Sequence, residues 1–561
     1  MNFKIITFIF IICILYSCSS LVTDLNAIDK SMLVSISNKI KKLNPLTEIE
    51  KNTWQDKDII KDTIAGISLN RAYQELERLH RNPDTIIVAV LDMRIHKNHE
   101  DIENFIWKNN NEIPNNNIDD DNNGYIDDIN GWNFLGNSKG GQAYRANFEY
   151  VRIIRKFDDQ FKNKRIDEIK DTLNFNLYLK AKREYSEEIE YVRSRLRSLN
   201  YQKIRKDFLD KQLGKIYPNT KLTIEVLQNL KPTNSIVEKN IQSLIGLKKD
   251  STNNAADFLL QQRYLDIYMN VDYKERAVIG DDVSDINDIH YGNNIITSDN
   301  SEGSHTHSIK VAGIIAANRN NELGIKGITN SVKIMPVAIS PYGDEQDKDV
   351  ALGIRYAVDN GAKIINISSS KNLSLHKEWV MDALKYAEQK DVLIITSAGN
   401  EAENLDKKQN YPNDTDIRNN EILKNFIKVG ASTYEPNENI VHYTSNYGKE
   451  SVDIFAPGKD IYTTHPNNTY GFSSGTSFSA PIVSGIAALI RSYYPNLSAS
   501  EVKTIILNSG VDINWEVNKP SASEEKELVP FSSLSKSGKI VNAYNALLMA
   551  EEVSKKKKKR N

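Results

Sequence analysis

Cysteine is almost missing from this chain of 561 residues: the two present, Cys13 and Cys18, both fall within the first twenty positions. No internal disulfide can tie the rest together, so an exported fold must rest on a hydrophobic core, which a chain of this length can build. Long apolar runs are missing too. The N-terminal one, Ile5 to Leu15, falls short of the ~20 residues a helix needs to cross a bilayer. Nor does one sign of charge dominate: 72 basic residues face 74 acidic ones, a formal net charge of −2, so nucleic acid is not an expected partner. The exception, Lys555 to Arg560, reads as a solvated basic tail over 549–561. Glycine and proline vanish between Ala143 and Asp210, which removes the commonest turn signals there and leaves room for long helices.

The start of the chain points to export. Met1 to Lys4 is short and charged, and with the apolar run it reads as a secretory signal. It ends in Leu15-Tyr16-Ser17-Cys18, which resembles a bacterial lipobox. That resemblance implies a signal over 1–18, lipidation of Cys18, and a protein held at a membrane of the cell envelope. Residues 19–66 are polar and weakly periodic, and read as a linker or arm.

From Ile67 the pattern changes. Thr85 to Leu91 is a β-branched apolar run between Pro83 and Asp92, as expected of a strand buried on both faces of a parallel sheet. Similar runs recur at Val332–Val337, Lys363–Ser368, Val392–Thr396 and Phe426–Gly430, with helical patterns at 350–360 and 377–390 between them. Strand and helix alternating at this spacing predict βαβ units and an α/β fold. One stretch departs from that rhythm. Tyr185, Ile189, Val192, Leu196 and Leu199 repeat at steps of four and three, which places them on one helical stripe. Residues 145–270 therefore read as a helical insertion, an antiparallel pair or coiled coil, within a single α/β domain over 67–548.

Ser474-Gly475-Thr476-Ser477-Phe478-Ser479-Ala480-Pro481 runs directly into Ile482-Val483-Ser484-Gly485-Ile486-Ala487-Ala488, a pattern for a closely packed buried helix. A serine at such a helix start has backbone N–H groups aimed at any negative charge developing beside it. It becomes a nucleophile once a base takes its proton and donors receive the oxyanion. Asp92, at the carboxyl end of the 85–91 strand, is placed to orient an imidazole.

The serine block resembles the Gly-Thr-Ser-x-x-x-Pro signature of the subtilases, serine peptidases in which Asp, His and Ser follow in that order. Anchoring on Val311-Ala312-Gly313, the resemblance implies His307 as the base, with His305 the alternative. It implies Asp92 as orienting carboxylate, supported by His99-Glu100-Asp101-Ile102, and Asn400 in Ser397-Ala398-Gly399-Asn400 as oxyanion donor. Ser368, Ser369 and Ser370, with Ser397, Ala398 and Gly399, fall where such enzymes bind extended substrate backbone. Gly280-Asp281-Asp282 and Tyr291-Gly292-Asn293-Asn294 resemble the lead-in to the histidine in subtilases of Bacteroidetes. Met93, Arg94, Ser308 and Lys310 depart from the family pattern.

The resemblance implies a three-layer fold, a serine endopeptidase working through an acyl-enzyme, protein or peptide substrates, and no cofactor for catalysis. The alternative is a subtilase-like binding or scaffold lipoprotein with little turnover. Separately, Asp119, Asp121, Asn123 and Asp127 stand at positions one, three, five and nine of an EF-hand-like loop with Gly124 at its turn. The closing glutamate is absent, so the segment reads either as a structural calcium site or as an acidic turn.

Overall fold

In the computed structural model, residues 33–560 are described, apart from 41, 43, 299–305, 417, 419 and 524. Cys18 and His305 lie outside the described residues. The chain divides into two units, one running to Gln142 and resuming over Val278–Ser340 and from Glu345 onward, the other Ala143–Ala277 with Pro341–Asp344.

The first unit is built on a nine-stranded sheet. Its strands are β1 Ile86–Asp92, β2 Trp132–Asn133, β3 Val332–Ala338, β4 Ile364–Ile367, β5 Leu393–Ser397, β6 Phe426–Ser432, β7 Ile454–Pro457, β10 Val511–Asp512 and β13 Lys539–Ile540. Their order is β10-β13-β7-β6-β5-β4-β1-β3-β2. All neighbours run parallel except β10 and β13. The apolar runs are buried because helices cover the sheet: Val88 to Leu91 in β1 are fully inaccessible. Helices His307–Ala316 and Thr476–Tyr493 pack on each other and on β1, while Asp347–Asp359 pairs with Lys377–Gln389. The hairpin of β8 Ile461–His465 and β9 Thr469–Ser473 packs on the helix that begins at His307, and β11 Glu516–Asn518 pairs with β12 Leu528–Pro530.

Two expectations at the ends need correction. The stretch read as a linker enters the core: Val34, Ile36, Trp54, Ile59 and Ile64 are buried with the sheet residues. Asn545 fixes the start of this stretch by bonding both the N–H (2.8 Å) and the carbonyl (3.0 Å) of Val34. The basic tail is the last part of a helix, Ala543–Arg560, that buries Met549, Ala550 and Val553. Two of its lysines meet carboxylates, Lys555 at Glu551 (3.1 Å) and Lys557 at Glu501 (2.8 Å), while Lys555, Lys558 and Lys559 stay exposed.

The second unit is helical, as the missing glycine and proline foretold, and begins and ends a few residues outside 145–270. Its axis is the 45-residue helix Thr172–Ile216, capped by Asp171, whose carboxylate accepts the Asn174 N–H. Val192 and Leu199 of the predicted stripe are buried, and Tyr185, Ile189 and Leu196 half-buried. The remaining helices, Glu149–Phe161, Ile224–Asn229, Ser235–Lys249 and Ser251–Arg263, complete the unit, with Leu209, Leu213, Val237, Ile241 and Leu244 forming a cluster of their own. Among the described residues, no helix is long and apolar enough to cross a membrane.

Candidate active site

Strand β1 delivers Asp92 to the edge of the core, where its side chain is 3% exposed. Both carboxylate oxygens accept from His307 Nδ1, at 3.0 and 2.7 Å, and Oδ1 also accepts the Met93 N–H at 2.7 Å. A carboxylate can only accept, so Nδ1 carries the proton and Nε2 is left as the basic nitrogen. Burial works against charging His307, but the Asp92 charge and hydrogen bond outweigh it and hold the imidazole above its ordinary value. Lys310, half-buried one turn along the same helix, opposes that rise, and Glu345 adds to it. The large residues after Asp92 are absorbed: the Arg94 guanidinium turns to the Thr297 carbonyl at 3.2 Å.

Ser477 sits in the first turn of the helix Thr476–Tyr493, ahead of an interior proline, Pro481. Proline has no N–H for the carbonyl four residues back, so the Ser477 carbonyl is left without its helical partner. The Ser368 hydroxyl takes that place, donating to it at 2.9 Å. In return the Ser477 hydroxyl donates to the Ser368 carbonyl at 3.0 Å. Ser477 is thus clamped through its carbonyl and its hydroxyl to the residue following β4. Its hydroxyl is not bonded to His307, whose ring lies 5.5 Å from that of Phe478.

Asn400 follows β5 and is oriented by a residue to which the sequence reading gave no role. Thr476 donates to Asn400 Oδ1 from its N–H (2.8 Å) and its hydroxyl (3.2 Å), and that hydroxyl accepts the Gly399 N–H (3.0 Å). With Oδ1 fixed on Thr476, the amide nitrogen of the exposed Asn400 is left free to donate elsewhere. Two glycines make this approach possible. Gly399 (φ +99°) and Gly475 (φ +132°) hold left-handed backbone, and a Cβ on Gly475 would meet Asn400 Oδ1 at 3.1 Å. The threonine of Gly-Thr-Ser was the signal available for Thr476, but its partner is 76 residues away. Replacing Asn400 by Leu should lower kcat by roughly 10²–10³ with KM little changed, read from steady-state peptide hydrolysis. An unchanged kcat would remove Asn400 from the oxyanion site.

The family model of the subtilases matches residues 84–528. The chain belongs to the subtilase family. It is 33% identical over 230 residues to subtilisin-like protease 3 of Plasmodium falciparum, covering 39% of this chain and 30% of that protein. To a cell wall-associated protease of Bacillus subtilis it is 35% identical over 227 residues, 40% of this chain and 23% of that protein. To thermitase of Thermoactinomyces vulgaris it is 33% identical over 232 residues, 40% of this chain and 75% of that protein. The chain thus spans under a third of the first two relatives and three-quarters of the third.

In this subtilase a cavity of about 280 Å³ opens beside the serines after β4, lined by Ser369, Ser370, Glu345, Asp347, Tyr411 and Met381 among others. Ser397 and Ala398 are buried structural residues; the Ala398 carbonyl accepts from Asn446 Nδ2 at 2.9 Å. Ser308 is fully buried on the helix that His307 begins, and among the described residues its hydroxyl is left without a hydrogen-bond partner.

The acidic loop is arranged differently from the EF-hand spacing. Asp119 and Asp121 come together with Glu112, each offering an oxygen within 4.8 Å of the others. Asp127 is turned away and accepts the N–H groups of Asn116 (3.2 Å) and Asn117 (2.9 Å). Asn123 gives its amide to Asp121 (3.3 Å) and Asp128 (3.1 Å). Burial, then the charges of Asp128 and Asp121, push the Glu112 carboxyl up against the backbone N–H groups that lower it. Glu112 lies outside the spacing motif, and only folding brings it in.

Proposed function

We propose that this subtilase is a serine endopeptidase in which Ser477, His307 and Asp92 cleave peptide bonds, with Asn400 as an oxyanion donor. The observation that carries the reading is the double hydrogen bond from His307 to a buried Asp92, which leaves Nε2 basic near a serine at a helix start. Ser477 Oγ attacks the scissile carbonyl carbon as His307 Nε2 takes its proton. The oxygen that gains the electron pair is met by the Ser477 N–H and Asn400 Nδ2. The intermediate collapses, the C–N bond breaks, and the leaving amine takes the proton from His307. Water, deprotonated by the same nitrogen, then hydrolyses the acyl ester and frees Ser477. The first step requires the Ser477 hydroxyl to leave the Ser368 carbonyl, and this bond is the observation that favours the alternative, a binding protein of little turnover. Reaction with a fluorophosphonate probe decides between them. Labelling that disappears in Ser477→Ala and His307→Ala supports the peptidase; no labelling of folded wild type supports the binding protein.

A structural calcium ion belongs to the same proposal. Carboxylate oxygens from Glu112, Asp119 and Asp121 are the donor set a hard cation takes, and a bound cation would offset the burial and the neighbouring charges that raise the Glu112 carboxyl. At a hundredfold excess over Kd, calcium should add ~2.7 kcal/mol to stability. Thermal unfolding with calcium and with a chelator checks this: Tm should fall on chelation in wild type and hardly move in Glu112→Gln. Equal response of the two proteins would count against the site.

A further inference from the structure

The cavity beside Ser369 and Ser370 has a wall made by the loop from Gln409 to Asp416. Gln409, Tyr411, Pro412, Asn413, Thr415 and Asp416 line the cavity, whereas Asn410 and Asp414 do not. Both are buried and face the other way, toward Lys428. Lys428 stands in the middle of β6, and its ammonium is almost wholly enclosed. It donates to the Asn410 carbonyl at 3.1 Å and to Asn410 Oδ1 at 3.2 Å. Its own N–H donates to Asp453 at 2.7 Å.

Charges of both signs surround this ammonium. Asp414 and Asp453 act on it directly. Lys536 reaches Asp453 at 3.2 Å and Glu421 at 2.6 Å; Lys503 pairs with Glu421 and lies 3.9 Å from Asp414. Three ammonium groups thus face three carboxylates beneath the loop. Lone burial of an ammonium is costly, so Lys428 is retained in the core only while its acceptors are in place. The loop geometry and the buried charge therefore depend on each other.

The connection runs on to the nucleophile. Tyr411, next to Asn410, pairs with Lys371 through both backbone hydrogen bonds, 3.0 and 2.8 Å. Lys371 follows Ser370 directly, and its ammonium is held by Asp347 (2.9 Å) and the Glu345 carbonyl (2.7 Å). Three residues back, Ser368 clamps Ser477.

We propose that Lys428 is a positioning residue of the substrate cleft, its buried ammonium holding the 409–416 wall at the spacing from Ser369 and Ser370 that an extended polypeptide requires. The inference rests on the peptidase reading. Burial lowers the ammonium's pKa to about 8, against the carboxylates that raise it, so the wall should loosen as the pH rises through that value.

Labelled casein serves as the extended substrate and a single-residue ester as the short one, each with the full chain. Lys428→Met should raise KM for casein about tenfold with kcat within about threefold, and leave KM for the ester unchanged. Lys428→Arg should recover much of the casein KM. Wild-type KM for casein should climb above pH 8, and that of Lys428→Met should stay flat across the same range. Amide hydrogen exchange over 409–416 should accelerate in Lys428→Met while exchange in β1 and β4 stays protected. The exchange arm does not need turnover, so a wild type that neither labels nor cleaves would sink the peptidase reading and still report on the wall. If Lys428→Met does not fold, Asn410→Ala, which removes one acceptor only, should shift casein KM and exchange in the same direction. Unchanged KM and exchange in a folded variant, or an equal fall in kcat on both substrates, would overturn the proposal.

Discussion

Ser477→Ala should lower kcat for peptide hydrolysis by roughly 10⁶ while KM stays within a few-fold. The size follows from what is removed. Without the hydroxyl no acyl-enzyme forms, and His307 and Asp92 have no bound nucleophile to serve. The donors are untouched, because the Ser477 N–H belongs to the backbone and Asn400 is held by Thr476. A residual rate of roughly 10³–10⁴ over water should therefore survive, supplied by binding and the oxyanion donors alone. Stability should change little. The lost bond to the Ser368 carbonyl is one of two, and the Ser368 hydroxyl still satisfies the carbonyl that Pro481 leaves free. Steady-state kinetics beside thermal unfolding reads both effects. A variant that keeps more than about a hundredth of wild-type kcat would place the nucleophile elsewhere.

Asp92→Asn should cost about 10⁴ in kcat with near-native structure. The carboxamide replaces an acceptor of two hydrogen bonds by one acceptor and one donor. Nδ1 of His307 can then become the acceptor, which moves the proton to Nε2, the nitrogen that should be basic. The pH dependence should move as well. His307 is held above its ordinary value by Asp92, so wild-type activity should appear as the pH rises through a point above the usual imidazole range, where the base loses its proton. A raised histidine stabilises the fold at pH below its unfolded value and loses that contribution as the pH rises through the folded one. Asp92→Asn removes the charge that raises it, leaving burial and Lys310 to pull down, so the acid limb of the residual activity should shift to lower pH. A pH–rate profile checks the direction. A limb that stays in place would assign it to a group other than His307.

Much of the proposed chemistry was legible before folding because the groups assigned to it sit where secondary structure begins or ends. Asp92 closes an apolar strand, His307 and Ser477 open helices, and Asn400 follows a strand, so each stands beside a pattern that local sequence displays. The Gly-Thr-Ser block also carried the information that Thr476 is near the nucleophile. It did not say that Thr476 holds Asn400, since a contact over 76 residues leaves no local trace.

The sequence by itself determined the α/β class, the stretches that form the buried strands and the helical character of the glycine-free stretch, and its resemblance to the subtilases supplied the four proposed chemical groups. Periodicity is a local property, and the first three needed nothing more; the choice of His307 and Asn400 rested on the resemblance. Tertiary structure alone decided that Val34, Ile36, Trp54, Ile59 and Ile64 belong to the core, that the basic C-terminal stretch extends a docked helix, that Glu112 rather than Asp127 joins Asp119 and Asp121, and that Lys428 is buried beneath the 409–416 loop. Each of these turns on whether a polar or charged side chain keeps its water. That is settled by partners brought in from distant parts of the chain, such as Asn545 for Val34 and Asn410 for Lys428.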